Sequence, residues 1–239
     1  METSSNGRES KKEPGIAGAL SPPPFEETAL ASLTGEVEPR RPLRQPYERA
    51  LFLLLMAGGL AAVALSMTNL RSDLDRTSWA VTYGPALMEM LAGWAVFLLA
   101  MSWSVPGIGI SRSRSALWCG TLAALALAAA FTAPHFVPAA HPGASIGFSP
   151  SKGFPCLGFE MMLGAPMLMA ALWLVARGAS AAPRLAGALA GMGAGLAADA
   201  AMHFKCGDVD PAHTVIWHLG AVLLLSLLGA LAGRFLPRW

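Results

Sequence analysis

Residues 50–68 read ALFLLLMAGGLAAVALSMT, and no side chain in this stretch carries a charge. A helix of this length rises about 28 Å at ~1.5 Å per residue, which is close to the ~30 Å hydrocarbon core of a bilayer. Within a membrane the backbone must satisfy its own hydrogen bonds, which a helix does. The stretch therefore predicts a transmembrane helix.

Five more apolar stretches of similar length lie between this helix and the C-terminus. They are residues 80–103, 116–133, 156–177, 185–203 and 214–233. Each is near the ~20 residues that a spanning helix needs. We therefore predict an all-α polytopic membrane protein, in which residues 50–239 form a bundle of six transmembrane helices embedded in a lipid bilayer.

The composition agrees with a membrane protein. Of 239 residues, 54% are apolar and 13% are charged, whereas soluble domains carry about 25% charged residues. The mean hydropathy is +0.49. These values exclude a disordered chain and a protein that binds nucleic acid directly, and they argue against an ordinary soluble enzyme. Residues 1–49 nevertheless contain 15 of the 32 charged residues, so a polar tail precedes the membrane region.

The polar tail divides into two parts. Residues 1–24 are rich in Ser, Gly, Glu, Lys and Pro, which is typical of disorder. Residues 25–49 contain a candidate amphipathic helix, because Leu30, Leu33 and Val37 recur at helical spacing. Arg40 and Arg41 follow it, with Pro42 marking its end and Arg44 close by.

The basic residues predict the orientation of the chain in the membrane. With six spans and the N-terminus inside, 13 Lys and Arg residues lie on the inner side and 4 on the outer side. Because basic residues concentrate in cytoplasmic segments, both termini are expected in the cytoplasm. A miscount of one span would move the C-terminus to the other side.

Ionisable and thiol side chains gather near the predicted outer ends of the last three spans. They are Cys156, Glu160, Asp199, His203, Cys206, His213 and His218. Such a set could bind a soft metal ion or form one disulfide, and Asp208 could orient a histidine. Two simpler interpretations stay open: the cysteines are core residues, and His203 and His213 cap helix ends. Cys119 lies at the opposite side and is interpreted as a packing residue.

No catalytic motif accompanies these side chains. The sequence has no HExxH motif, nucleophile elbow or phosphate-binding loop. We therefore expect that the protein is not an enzyme and that it holds no resident cofactor. Transient binding of a soft metal ion stays open. A small membrane transporter or redox protein that uses the outer His, Cys and acid cluster is the alternative function.

One span also carries a packing motif. Gly187, Gly191 and Gly195 form two overlapping GxxxG steps in the fifth stretch. Glycine lets membrane helices approach closely, so we expect tight helix packing along this line.

Several stretches resemble a known family. They are PRLAGALAG (183–191), HFKCGDVD (203–210), VIWH (215–218) and LLGALAGRFLPRW (227–239), with PCL at 155–157 and RRPLR at 40–44. Together they resemble the NrsF-type family (negative regulator of sigma F), which are six-span bacterial anti-sigma factors. The resemblance covers roughly residues 28–239.

The resemblance implies a function and a location. It implies a multi-pass protein of the bacterial inner membrane that sequesters an extracytoplasmic-function sigma factor and releases it on a stress signal. It also implies that Cys156 and Cys206 sense this signal. Because the predicted topology places both thiols at the outer side, where they could oxidise or bind a soft metal, we expect the signal to be a redox or heavy-metal stress at the periplasmic side. Since a sigma factor is cytoplasmic, we expect residues 25–44 to bind it, with Leu30, Leu33 and Val37 as anchors and Arg40, Arg41 and Arg44 as rim charges.

Overall fold

The computed structural model describes residues 43–75, 78–105, 150–178, 180–208 and 210–236. These residues belong to one compact unit, Leu43–Trp239. They are helical throughout their regular parts, and no strand occurs among them. This confirms the predicted all-α fold class for the described chain.

Four long helices come first along the chain. They are α1 (Pro46–Ser66), α2 (Trp79–Trp103), α3 (Pro150–Ala176) and α4 (Pro183–Met202). The last span consists of a short helix α5 (Pro211–His213), a π-helix (Thr214–Leu219) and α6 (Gly220–Gly233). Proline begins α1 and α4, where its missing N–H costs no hydrogen bond.

Five helices of the described chain are long and apolar enough to cross a membrane. They correspond to five of the six predicted stretches. The stretch 116–133 lies outside the described residues, as do Cys119 and residues 1–42 with the predicted tail helix. The span at residues 116–133 and the tail helix therefore remain predictions.

Helix α4 lies at the centre of the bundle. It packs against α2, α3 and α6. Of the residues in its apolar stretch, 78% are buried, compared with 33% in the apolar stretches of α1 and of the last span. The outer helices direct large apolar side chains away from the bundle, such as Leu55, Met169 and Leu227. An apolar exterior of this kind is what lipid requires of a bundle surface.

The predicted glycine packing is confirmed along α4. A Cβ atom on Gly187 would lie 2.2 Å from the Gly229 carbonyl oxygen of α6, and one on Gly191 would lie 2.0 Å from that of Leu225. These distances are far shorter than van der Waals contact, so the two backbones touch directly. This contact fixes α6, and with it the preceding π-helix, against α4.

The bundle has two ends that carry different side chains. At one, which we call the Arg49 end, Arg49 near the start of α1 donates hydrogen bonds to Ser104 after α2 (3.0 Å) and to the Leu174 carbonyl near the end of α3. At the other, the cysteine end, Cys156 near the start of α3 meets Cys206 after α4. Helices α2 and α3 therefore run in the same direction, and α2 ends at the face opposite to the one where α3 begins.

Candidate functional site

Two free thiols lie together at the cysteine end. Cys156 is in the second turn of α3, and Cys206 follows α4 with its N–H donating to the Met202 carbonyl at 2.7 Å. The Cys156 thiol donates to the Cys206 sulfur over 3.7 Å. This distance is well above the ~2.05 Å of a disulfide bond, so the two residues are reduced neighbours.

His213 is next to this thiol pair. Its Nε2 lies 3.5 Å from Cys206 Sγ, and its Nδ1 lies 3.8 Å from Asp208 Oδ2. Asp208 is held in turn, because its Oδ1 accepts a hydrogen bond from the Asp210 N–H at 3.1 Å. The short loop after Cys206 therefore orients a carboxylate behind the imidazole.

His218 connects the thiols to two carboxylates in the helix core. Its Nδ1 lies 2.8 Å from Asp199 Oδ1 on α4 and 3.0 Å from Glu160 Oε1 on α3. The side chain of Glu160 is 0% exposed, and its oxygens accept no well-formed hydrogen bond from the described residues. One Nδ1 proton can point at only one carboxylate, which explains why the Asp199 contact alone has hydrogen-bond geometry.

The π-helix brings the two histidines together. Residues five apart lie on diverging faces of an α-helix, whereas a π-helix repeats at i→i+5. His213 and His218 stand five residues apart across the π-helix Thr214–Leu219, and their ring centroids are 5.4 Å apart. Gly153 makes room beneath this segment, since a Cβ there would lie 1.9 Å from the Trp217 ring.

The structure separates the predicted site residues into two groups. The first group consists of four residues, each of which offers one atom that could bind a metal, and these four atoms lie within 4.8 Å of one another. The residues are Cys156, Cys206, His213 and His218. Glu160, Asp199 and His218 form a second set that shares His218. His203 belongs to neither, because its Nε2 lies 3.0 Å from Glu89 Oε2 on α2.

Glu89 is a buried partner that the site prediction did not include. It is 5% exposed and pairs with His203 across the α2–α4 contact. The available signal was an acid within an apolar stretch, which is costly in a membrane and calls for a partner. Only the fold shows that the partner is His203, since 114 residues separate the two.

Neighbouring hydrogen-bond donors, Cys156 first, favour the thiolate of Cys206. The hydrogen bond from Cys156 lowers the pKa of the Cys206 thiol, and His218 acts in the same direction, although burial opposes them. Arg71, in the loop after α1, donates its backbone N–H to the Phe204 carbonyl at 3.0 Å. Its guanidinium forms two hydrogen bonds with Asp73, which raise the pKa of Arg71. An Arg71–Asp73 ion pair therefore lies in the loop that packs against the Cys206 segment.

Of the predicted sigma-binding residues, the structure describes Arg44 alone, which is exposed just before α1. Leu30, Leu33, Val37, Arg40 and Arg41 lie outside the described residues.

Residues 33–239 match the family described as negative regulator of sigma F, NrsF. The chain belongs to the NrsF family. It is also similar to the anti-sigma-F factor NrsF of Caulobacter vibrioides (strain NA1000 / CB15N), with 30% identity over 221 residues, which cover 88% of this chain and 96% of that relative. NrsF proteins are regulators and are not typically enzymes. No solved structure matches the chain.

Proposed function

We propose that this chain is a membrane-bound anti-sigma factor that holds an extracytoplasmic-function sigma factor at the cytoplasmic face of the inner membrane. A redox or heavy-metal stress at the periplasmic side then releases the sigma factor. The observation that carries the proposal is the reduced Cys156–Cys206 pair, with sulfurs 3.7 Å apart and His213 beside them, in a chain of the NrsF family. An oxidant or a soft metal ion reacts with such a pair at once, without a large prior movement.

The membrane orientation follows from charge. The cysteine end faces the periplasm and the Arg49 end the cytoplasm, because the 13 to 4 distribution of basic residues places the polar tail inside. In this orientation the thiols meet periplasmic oxidants and metals, and the tail meets the sigma factor.

Residues 25–44 supply the binding element for the sigma factor. Leu30, Leu33 and Val37 form one apolar stripe, and Arg40, Arg41 and Arg44 give it a basic flank. An amphipathic segment of this kind binds as a helix in an apolar groove. The tail enters α1 directly, a few residues before Arg49, which contacts the ends of α2 and α3.

The signal crosses the membrane through the helices. Cys156 belongs to α3, whose other end contacts Arg49, and Cys206 follows the central helix α4. Linking or separating the two sulfurs changes how α3 and α4 meet at the cysteine end. Helix shifts of ~1–2 Å are sufficient to rearrange contacts at the far end of a packed bundle.

The test is the response of sigma-dependent transcription to oxidant and to Cd²⁺ in cells. The double variant Cys156→Ser, Cys206→Ser should repress normally but fail to respond, because serine neither oxidises nor binds soft metals well. Cys119→Ser is the matched control and should respond like the parent protein. A double variant that is present at normal levels and still responds would refute the thiol sensor.

A second experiment tests the tail. Burying one apolar side chain contributes ~1.5–3 kcal/mol, so Leu30→Asp with Leu33→Asp should lower sigma affinity at least about 100-fold and switch on the regulon without stress. Deletion of residues 1–20, which offers few apolar anchors, is the control and should leave repression intact. Normal repression by the double variant would show that the sigma factor binds elsewhere.

A further inference from the structure

We propose that Cys156, Cys206, His213 and His218 form a tetrahedral site for one soft or borderline divalent cation of the Zn²⁺ or Cd²⁺ type. The inference deepens the proposed function, on which it rests for the regulatory meaning of the site. It selects a metal cation as the ligand of the thiol pair. It also adds two histidine ligands from the last span and gives Asp199 and Asp208 the role of positioning residues.

The distances within the four residues agree with tetrahedral coordination. Two thiolates at ~2.3 Å from one tetrahedral ion lie about 3.8 Å apart, and a thiolate and an imidazole nitrogen lie about 3.5 Å apart. The observed separations are 3.7 Å between the two sulfurs and 3.5 Å between Cys206 Sγ and His213 Nε2. All four residues offer atoms within 4.8 Å of one another, so small side-chain movements complete the set.

Each histidine already has a carboxylate behind it. Asp199 Oδ1 lies 2.8 Å from Nδ1 of His218, and Asp208 Oδ2 lies 3.8 Å from Nδ1 of His213. The hydrogen bond with Asp199 at Nδ1 leaves Nε2 of His218 as the nitrogen that faces a metal, and it raises the basicity of that nitrogen. Asp208 is close enough to His213 to take the same role after a small side-chain movement. His218 Nε2 is buried and makes no well-formed hydrogen bond with any described residue. A cation ligand accounts for a buried nitrogen of this kind.

The charge of the site suits a divalent cation. Two thiolates and two neutral imidazoles carry a charge of −2, which one divalent ion neutralises. Binding releases the protons of the thiols to solvent as the sulfurs coordinate. Since thiolate and imidazole ligands prefer soft and borderline ions, Mg²⁺ and Ca²⁺ are selected against.

The burial pattern provides a route to the site. The two thiols are partly exposed, whereas His213 and His218 are 7% and 6% exposed. A cation therefore meets the sulfurs first and is then closed in by the imidazoles of His213, at the end of α5, and His218, in the π-helix. The four ligands come from α3, the segment after α4 and the last span, so one ion ties three parts of the bundle together at the cysteine end.

The experiment uses the full chain, reduced and reconstituted in lipid nanodiscs, with Co²⁺ as a spectroscopic probe and Cd²⁺ as the competing ion. We expect one ion per chain, a thiolate-to-cobalt charge-transfer band, and the intense visible bands of tetrahedral Co²⁺, which Cd²⁺ abolishes. Mg²⁺ should not compete.

Variants at the two histidines test whether these side chains bind the metal ion, because a site made by the cysteines alone does not need the histidines. His213→Gln and His218→Gln should each lower Cd²⁺ affinity at least about 100-fold. Asp199→Asn should lower it about 10–100-fold and keep the tetrahedral spectrum. The matched control His203→Gln should bind like the parent protein, and a Tm measurement on each variant verifies that it is folded. Wild-type Cd²⁺ affinity in both folded His213 and His218 variants would overturn the proposal.

The binding data also separate this inference from the proposed function. If the four residues bind Cd²⁺ as described but Cd²⁺ does not release the sigma factor, the site stands and the proposed signal fails. If an oxidant releases the sigma factor through Cys156 and Cys206 but the protein never shows the visible spectrum of tetrahedrally coordinated Co²⁺, the proposed function stands and the metal site is refuted.

Discussion

Arg49 is the buried cation that joins three helices at one end of the bundle. It is 3% exposed, and its guanidinium donates to Ser104 Oγ and to the Leu174 carbonyl. The contact with Leu174 satisfies a carbonyl near the C-terminus of α3, where a cation is favoured. In the sequence it lies a few residues after residues 25–44 of the polar tail.

Replacement of Arg49 should therefore weaken the bundle. Arg49→Met removes two charge-assisted hydrogen bonds, each worth roughly 1.5–3 kcal/mol, so we expect a loss of about 3–6 kcal/mol in the free energy of unfolding. Reversible unfolding in mixed micelles measures it. Arg44→Met, at an exposed position, is the control and should have little effect. Equal stability of the two variants would contradict this role of Arg49.

His218 is the side chain that links the thiols at the cysteine end to the helix core. Its Nδ1 contacts two carboxylates from different helices, and its ring lies next to His213. Any change at the thiols that reorients this ring also changes its contacts with α3 and α4. The residue thus connects a reaction at the cysteine end with the packing of two spanning helices.

At the scale of elements, the contact between α4 and α6 depends on glycine. Gly191→Ala places a methyl group 2.0 Å from the Leu225 carbonyl oxygen, so the two helices must separate. Overpacking of this kind costs about 1–3 kcal/mol, and we expect the Tm of the reconstituted protein to fall accordingly.

Gly58 on α1 provides the matched control for this contact. No heavy atom lies within 4 Å of a Cβ built there, so Gly58→Ala should be neutral or slightly stabilising, because alanine is the better helix former. A Gly191→Ala variant as stable as the Gly58→Ala variant would show that the close α4–α6 contact is absent in solution.

The π-helix is a second element with a functional consequence. Its wider turn places His213 and His218 side by side, and a regular α-helix through the same residues would separate them. The ring of Trp217, packed over Gly153 and against Phe154, positions the segment on α3. The geometry of the site therefore depends on a local departure from α-helical structure.

At the scale of the whole molecule, the parallel course of α2 and α3 supports the predicted additional crossing between them. Both helices end beside Arg49, so α2 ends and α3 begins at opposite faces of the bundle. Six spans, with residues 116–133 as the third, satisfy this arrangement and return the C-terminus to the side of the N-terminus.

Reporter fusions test this topology. Fusions at residues 108, 180 and 239 should read as cytoplasmic, and fusions at 74, 145 and 208 as periplasmic, because 13 of the 17 basic residues then lie inside. The fusions at 74 and 108 serve as internal references, since they flank a described helix. A periplasmic signal from the fusion at 239 would exclude six spans with a cytoplasmic N-terminus.

The sequence by itself determined the helical fold class and the approximate positions of five helices long and apolar enough to cross a membrane, although α3 begins at Pro150, six residues before the predicted stretch. Residues 50–68, for example, are uniformly apolar over the thickness of a bilayer, and this property needs no knowledge of neighbouring helices. The GxxxG line at Gly187, Gly191 and Gly195 likewise predicted a close helix contact. Family membership was also accessible, since it rests on residue patterns.

Only the tertiary structure decided which polar side chains meet. Asp199 and His203 stand one helical turn apart in the sequence, yet Asp199 contacts His218 and His203 contacts Glu89. In an apolar bundle each buried charge takes the partner that the neighbouring helices present, and these helices are far apart in sequence. The π-helix adds a turn that residue spacing does not predict, and it places His213 and His218 together beside the thiols.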